Sequence, residues 1–281
     1  MTSPRASRAA CARITRRASS SFTFATYLFD PETRHAVQAL YAFCRVADDI
    51  ADSPTLTTQS KRQQLAMMRR ALKLRKVPPI EPEIWPAVFS MIEAHHIPLP
   101  ELETILEGVH SDITFRQPLT IGELDRYSYQ VAGVVGILCA RILGATKRST
   151  LLGAKQLGIG MQYVNIIRDV SSDIDLKRIY IPQSVLREAK LTPTQVLQRE
   201  NQAGLTRALT ILTRRAETYF QHAEAAIDDL HPSYQRPVRY ALKLYSQLLE
   251  SIKQKQYTVY SQRVSIPTHE KLLLVWRNRS R

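Results

Sequence analysis

Glycine is scarce in this chain, 9 residues in 281. Turn-rich all-β folds depend on glycine for their tight connections, so a sandwich or barrel is disfavoured. Cysteine is scarcer still. Cys11, Cys44 and Cys139 are widely spaced and form no Cys-x-x-Cys pair. That excludes a disulfide scaffold and a structural zinc site, and it fits free thiols in a reducing compartment such as the cytoplasm. The longest apolar run, over 131–143, is shorter than a bilayer span and contains Arg141, so no transmembrane helix is expected. Gly-x-Gly-x-x-Gly, Gly-x-x-x-x-Gly-Lys and His-Glu-x-x-His are all absent, which removes the dinucleotide, P-loop and zincin classes. Acid is short as well: 25 Asp+Glu against 39 Lys+Arg leave a net charge of +14. Such a surplus points to nucleic acid, an acidic membrane surface or a phosphorylated small molecule, without choosing among them.

What the chain does have is helical periodicity. Hydrophobic residues make up 44% of it, and they recur at spacings of three and four. The pattern predicts helices near 5–18, 32–51, 59–74, 82–95, 99–112, 121–144, 147–171, 183–189, 193–229 and 232–257. Strand-like alternation occurs only over 257–264. Proline marks the breaks, at Pro78-Pro79, Pro98, Pro118 and His231-Pro232, and Asp30-Pro31 reads as a helix start. No repeat or linker divides the chain, so one all-α domain over 1–281 is expected, with 1–4 and 278–281 frayed. Arg5, Arg8, Arg13, Arg16 and Arg17 occur without an acid among the first eighteen residues. They read either as a transit peptide or basic arm, or as a first helix with Ala9, Ala10, Ala12 and Ile14 between them.

The few acids are placed unevenly. Asp48, Asp49 and Asp52 fall at the end of the expected helix 32–51. Asp48 and Asp52 are four apart and share a face with Arg45 and Tyr41. Acids there oppose the helix dipole. Two carboxylates about 6 Å apart repel by roughly 3 kcal/mol at an effective dielectric near 20. A solvated helix end accounts for one such motif, but a second one follows. Gln162, Asn165, Asp169 and Asp173 are spaced by three, four and four residues, with Arg168 close to the same face. Five polar groups in an otherwise apolar helix are costly to bury unless they are paired or bind a ligand. Two such motifs facing across a cavity offer oxygen ligands to a hard cation that also bridges phosphate, Mg²⁺ or Mn²⁺. Paired acids have no part in a basic nucleic-acid-binding module, so no nucleic acid partner is expected.

At these residues the sequence resembles the squalene/phytoene synthase family. Ser19-Ser-Ser-Phe-Thr-Phe-Ala25 is similar to that family's Ser-x-Ser-Phe segment, and Ala39-Leu-Tyr-Ala-Phe-Cys-Arg-Val-Ala-Asp-Asp-Ile-Ala-Asp52 to its first aspartate motif. Tyr127-Ser-Tyr-Gln-Val-Ala-Gly-Val-Val-Gly136 resembles its central segment. Asn165-Ile-Ile-Arg-Asp-Val-Ser-Ser-Asp173 with Arg178-Ile-Tyr-Ile-Pro182 resembles the second aspartate motif. The stretch over 257–267 with Lys271 is similar to phytoene synthases in particular. Cys11, Arg13, Ile14, Arg16 and Arg17 fill the place of the family's first helix, which favours a helix over a transit peptide. Two departures stand out: Ser171-Ser172 where Gly-Glu is common, and Lys177 where glycine often precedes the Arg-x-Tyr element.

The resemblance implies an all-α isoprenoid-synthase-type bundle around an apolar cavity. It also implies Mg²⁺-dependent 1-1′ condensation of two prenyl diphosphates, without NADPH if the product is phytoene. The implied metal ligands are Asp48, Asp52, Asp169 and Asp173. Implied diphosphate contacts are Arg45, Arg168, Ser19, Ser21, Tyr257 and Arg263, with Gln162 and Asn165 beside the second aspartate pair. Phe22 and Tyr41 are expected to offer ring faces to a cation, and Tyr129 and Tyr180 to orient phosphate or take a proton. Ala132, Gly133 and Gly136 are small enough to let an alkyl chain, or a neighbouring helix, come close. Asp112 and Asp228-Asp229 are expected to be structural, and His95-His96 a helix end. The remaining positive charge suggests peripheral contact with anionic lipid.

Overall fold

The structure of the protein, a computed structural model, describes residues 2–18, 20–261 and 263–277. Its α-helices are α1 (Pro4–Ala18), α2 (Ser20–Thr26), α3 (Pro31–Asp52), α4 (Thr58–Leu74), α5 (Trp85–Ala94), α6 (Leu99–Ile113), α7 (Ile121–Ser128) and α8 (Val134–Ile142). They continue with α9 (Arg148–Arg168), α10 (Val170–Asp175), α11 (Gln183–Glu188), α12 (Pro193–Leu197), α13 (Gln202–Glu224), α14 (Pro232–Gln254) and α15 (Thr268–Arg277). Local chemistry fixes the boundaries. Asp30 accepts from Thr33 N at 3.0 Å and Pro31 opens α3. Thr57, Thr120 and Thr192 cap α4, α7 and α12 in the same way.

The expected helices are present, but three long ones are broken. The segment 121–144 contains a π-helical turn, Tyr129–Gly133, in which Val134 N–H reaches back to Tyr129 O. The segment 147–171 stops at Arg168, because Asp169 leaves helical geometry at φ −99°, ψ 13°, and α10 restarts after it. The segment 193–229 is interrupted where Arg199 and Asn201 take left-handed backbone, at φ 56° and 55°. The strand-like alternation over 257–264 forms no strand among the described residues. Gln256 and Tyr257, at φ 51° and 57°, reverse the chain into turns as it leaves α14. Helices α2 and α15 were not anticipated: both are short, and α2 is rich in Ser and Thr while α15 follows Pro267.

Two apolar clusters form the core. One gathers α1, α3, α4, α5, α6 and α8 around Phe43, Trp85 and Leu102. The other gathers α9, α11, α13, α14 and the C-terminal turns around Tyr163, Leu209 and Tyr240. The central helices approach very closely. A Cβ on Gly158 of α9 would lie 2.2 Å from the Ala132 carbonyl oxygen, and one on Gly136 of α8 would lie 2.1 Å from that of Ala154. At Lys177 the backbone is left-handed, φ 58°, which explains why glycine suits this position and why a lysine here carries a local conformational cost.

Gly158→Ala is therefore expected to destabilise the fold by about 1–3 kcal/mol or more in urea denaturation, since backbone must shift to admit the methyl group. Gly122→Ala, whose new methyl would meet only Thr120 Oγ1 at 3.7 Å, is expected to be neutral or stabilising by up to about 1 kcal/mol. Equal effects would contradict the close-approach account.

Candidate active site

A cavity of about 640 Å³ lies between the two clusters. Its wall comes chiefly from α2, α3, α8, α9 and α14, with the 263–266 segment and Lys271. One end is polar. Asp48 and Asp52 from α3, Asp112 from the end of α6, and Asp169 and Asp173 from the α9–α10 junction all line it. The two aspartate motifs thus share one cavity, as their spacing suggested.

Crowding shows in the ionisation of these groups. Burial, and then the charge of Asp52, pushes Asp48 up to about 7. Burial, and then the charge of Asp169, pushes Asp173 up to about 8. Asp112 rises to about 6, mainly through burial, although Arg178 and the hydroxyls of Tyr180 and Tyr127 pull the other way. Asp169 is the exception. Burial opposes its charge, but hydrogen bonds from Arg168 and Arg263 outweigh that and hold it below the usual carboxylate range. Arg168 pairs with Asp169, and Arg263 Nε donates to Asp169 Oδ1 at 2.7 Å.

Positive charge is woven through this end. Arg178 is buried and donates to Asp52 Oδ1 at 2.6 Å, to the Asp112 carbonyl at 3.2 Å and to the Ala51 carbonyl at 3.5 Å. It ties the ends of α3 and α6 to the segment after α10. Arg45 lines the cavity but donates to Asp49 at 2.5 Å, so the middle acid of the first motif anchors this guanidinium beside the cavity. Gln162 and Asn165 sit one turn apart on the wall, Asn165 Nδ2 donating to Gln162 Oε1 at 3.3 Å.

The remaining expected site residues divide. Phe22 and Tyr41 line the cavity as a stacked pair, with ring centroids 4.4 Å apart. Tyr180 lines it and donates to Asp112 Oδ1 at 2.8 Å. Ala132 and Gly136 line its apolar part. Gly133 is buried against Ile159 and Tyr129 instead, so only the helix-packing reading applies to it. Tyr129 does not line the cavity; it packs against both core clusters, with Lys155 Nζ over its ring at 5.0 Å. Tyr257 is a correction as well. The left-handed turn carries its side chain into the core, where the hydroxyl donates to Thr213 Oγ1 at 3.2 Å. Ser19 lies outside the described residues, as does the side chain of Ser21.

Four cavity residues were missed or misjudged. Asp112, expected to be structural, lines the polar end and also accepts from Tyr127 at 2.9 Å. Its signal was available: it falls on the same face of α6 as Ile105 and Val109, where an acid is out of place. Tyr127, quoted only as part of a motif, lines the wall beside it. Tyr245 of α14 lines the cavity, and its hydroxyl is hydrogen-bonded to Asn165. In sequence it looks like any core aromatic. Arg178 was quoted as part of a motif, but its bridging role depends on contacts across 126 residues.

The donor set suits a hard cation. Five carboxylates face one space, and Asn165 Oδ1 is a buried acceptor without a hydrogen-bond partner among the described residues. Among those residues no three His, Cys, Asp or Glu side chains converge as a closed metal cage would require. That pattern matches Mg²⁺ shared between one or two carboxylates, waters and a substrate phosphate, rather than an all-protein site.

A model of the squalene/phytoene synthase family matches residues 15–270. The 15-cis-phytoene synthase of Pantoea ananas is 33% identical over 265 residues, covering 92% of this chain and 86% of that protein. The bifunctional lycopene cyclase/phytoene synthase of Gibberella fujikuroi is 28% identical over 292 residues, covering 94% of this chain. The chain spans only about half the length of such bifunctional relatives, 50% in that case. Among solved structures, a dehydrosqualene synthase in complex with ligand superposes with a TM-score of 0.84 at 26% identity, covering 98% of this chain and 95% of that one. A squalene synthase from Alicyclobacillus acidocaldarius shares the fold at a TM-score of 0.78 and 21% identity, over 90% of this chain and 95% of that one. The chain belongs to the squalene/phytoene synthase family.

The crowding of carboxylates has a measurable consequence in metal-free protein. The folded state keeps Asp48 and Asp173 protonated to about 7 and about 8, whereas the unfolded chain ionises them near 4. The folded protein then holds more protons between these limits and loses stability as pH rises through them. In EDTA, Asp173→Asn is expected to gain in melting temperature over wild type progressively from about pH 5 to about pH 8. A difference independent of pH would contradict this electrostatic reading.

Proposed function

We propose that the protein condenses two molecules of geranylgeranyl diphosphate head to head, 1-1′, to phytoene in carotenoid biosynthesis, releasing two diphosphates and two protons. The observation that carries this reading is the union, in one cavity, of a carboxylate- and guanidinium-lined end with an apolar remainder. The phytoene synthases among the relatives support the C20 substrate.

The chain's residues divide the work. Arg45, Arg168 and Arg263 hold the diphosphates and take up the negative charge that develops as the allylic C–O bond breaks. For Arg168 and Arg263 this means exchanging Asp169 for phosphate oxygen. Asp48, Asp52, Asp169 and Asp173 would hold Mg²⁺ or Mn²⁺, which when bound supplies Lewis-acid neutralisation of the leaving diphosphate. Asn165, with Gln162 and the Tyr245 hydroxyl beside it, orients the head group. The 2,3 double bond of the second molecule attacks the allylic cation, and loss of a proton from the resulting cation closes the three-membered ring of a cyclopropylcarbinyl diphosphate. Loss of that second diphosphate, rearrangement and loss of a proton complete the hydrocarbon. The stacked Phe22–Tyr41 pair presents π density to the cationic stages. The apolar wall excludes water, which would otherwise trap the cation as an alcohol. Nothing in this sequence of steps consumes a hydride, so NADPH is not required.

The likeness to a dehydrosqualene synthase at a TM-score of 0.84 favours one second reading, the same condensation with farnesyl diphosphate. Purified protein incubated with Mg²⁺ and either geranylgeranyl or farnesyl diphosphate distinguishes the two by hydrocarbon analysis. Phytoene from the C20 substrate, without NADPH, is expected to dominate. Asp48→Asn and Asp169→Asn are expected to lower turnover by at least about 100-fold with helical circular dichroism unchanged. No 1-1′-linked product from either substrate would defeat the reading.

A further inference from the structure

The catalytic end absorbs only a few of the chain's surplus cations. The densest remainder lies on α4 and the turn after it. Residues 53–80 contain seven Lys and Arg and no Asp or Glu. Some of these are committed to the fold. Arg69 and Lys73 pair with Glu107 and Glu103 of α6, Lys61 donates to the Ala51 carbonyl, and Arg75 lies over the Phe89 ring. Arg62, Arg70 and Lys76 are exposed and have no acidic partner among the described residues.

Apolar side chains stand among them. The inner face of α4 buries Leu65, Met68, Ala71 and Leu72. Met67 and Leu74 are seven residues apart and share the outer face, with Arg70 between them. Their exposures are 43% and 57%, and Val77 just beyond the helix is exposed at 44%. Isolated exposed apolar residues are ordinary. Here three of them are interleaved with unpaired cations on a segment that has no acid at all.

We infer that this outer face of α4 docks the protein on an anionic lipid surface. The cations match phosphate headgroups, and Met67, Leu74 and Val77 enter the interface between headgroups and acyl chains. A nucleic acid would use the same charge but gains nothing from these aliphatic side chains, and residues 53–80 contain no Phe, Tyr or Trp on which a base could stack. The inference is independent of the proposed condensation, because no α4 side chain lines the cavity.

The test is co-sedimentation of the full chain with phosphatidylcholine vesicles, with and without about 30% phosphatidylglycerol. Wild type is expected to bind only the anionic vesicles, and to be released as salt rises past the range where the Debye length shortens to a few ångströms. Arg62→Gln/Arg70→Gln/Lys76→Gln is expected to bind on the order of 100-fold more weakly, about five-fold per charge removed. Met67→Ser/Leu74→Ser keeps every charge and is expected to bind at least about ten-fold more weakly. Both variants should keep wild-type circular dichroism and wild-type turnover of detergent-dispersed substrate. Equal vesicle binding by wild type and either variant would overturn the inference. So would absence of wild-type binding to anionic vesicles, or salt-sensitive binding to a DNA duplex in place of the vesicles.

Discussion

Five carboxylates held around one end of an apolar cavity are the constraint on which the rest of the structure depends. Burial first, and then repulsion from the neighbouring carboxylate, pushes Asp48 and Asp173 up to about 7 and about 8. The fold keeps them together by surrounding them with guanidinium groups. Arg178 fastens the ends of α3 and α6, Arg168 and Arg263 share Asp169, and Arg45 is anchored by Asp49. Such an arrangement is poor as a purely structural device, since well-packed apolar residues would cost less. It makes sense as a site whose remaining imbalance is made good by a cation and a polyanion arriving together.

The apolar part of the cavity follows from a different economy of space. Gly136 and Gly158 let α8 and α9 come into backbone contact, and Gly160 of α9 leaves room for the Phe220 ring of α13. Close packing of these helices allows their other small residues, Ala132 and Ala154 among them, to form a smooth wall. A long hydrocarbon can lie along the largely apolar stretch of this wall formed by residues such as Ala132, Val135, Gly136, Ala154 and Leu157. Under the proposed function, the charged end starts the chemistry and the dry end protects it. The two must be continuous, because the reacting carbon is attached to both the diphosphate and the tail.

Much of this was legible in the sequence, for physical reasons that can be named. Four-residue spacing places Asp48 with Asp52 and Asp169 with Asp173 whatever surrounds them, so both motifs could be assigned to helix faces. Their meeting in one cavity needed only the expectation that buried acids find a common ligand. What escaped depends on backbone breaks and distant contacts. The π-helical turn at Tyr129–Gly133 departs from the helical period that the sequence suggests, and Tyr129 within it does not line the cavity. The left-handed backbone at Gln256 and Tyr257 sends the Tyr257 phenol into the core. Tyr245 takes a place beside Asn165 from a helix whose pattern is that of an ordinary amphipathic segment. Lys177 looked in sequence like a departure in the site, yet its position is one of backbone conformation, at φ 58°.

The central claim is that the carboxylate-lined end binds diphosphate only when a divalent cation is shared between them. Calorimetric titration of inorganic diphosphate into the protein, with Mg²⁺ and again with EDTA, tests it without any dependence on prenyl chain length or product. The account predicts binding that is lost in EDTA and restored by Mg²⁺, because Arg45, Arg168, Arg178 and Arg263 are each paired with a carboxylate until a cation takes up those acids. Equally tight binding in EDTA would contradict it, and would assign the diphosphate to the arginines alone.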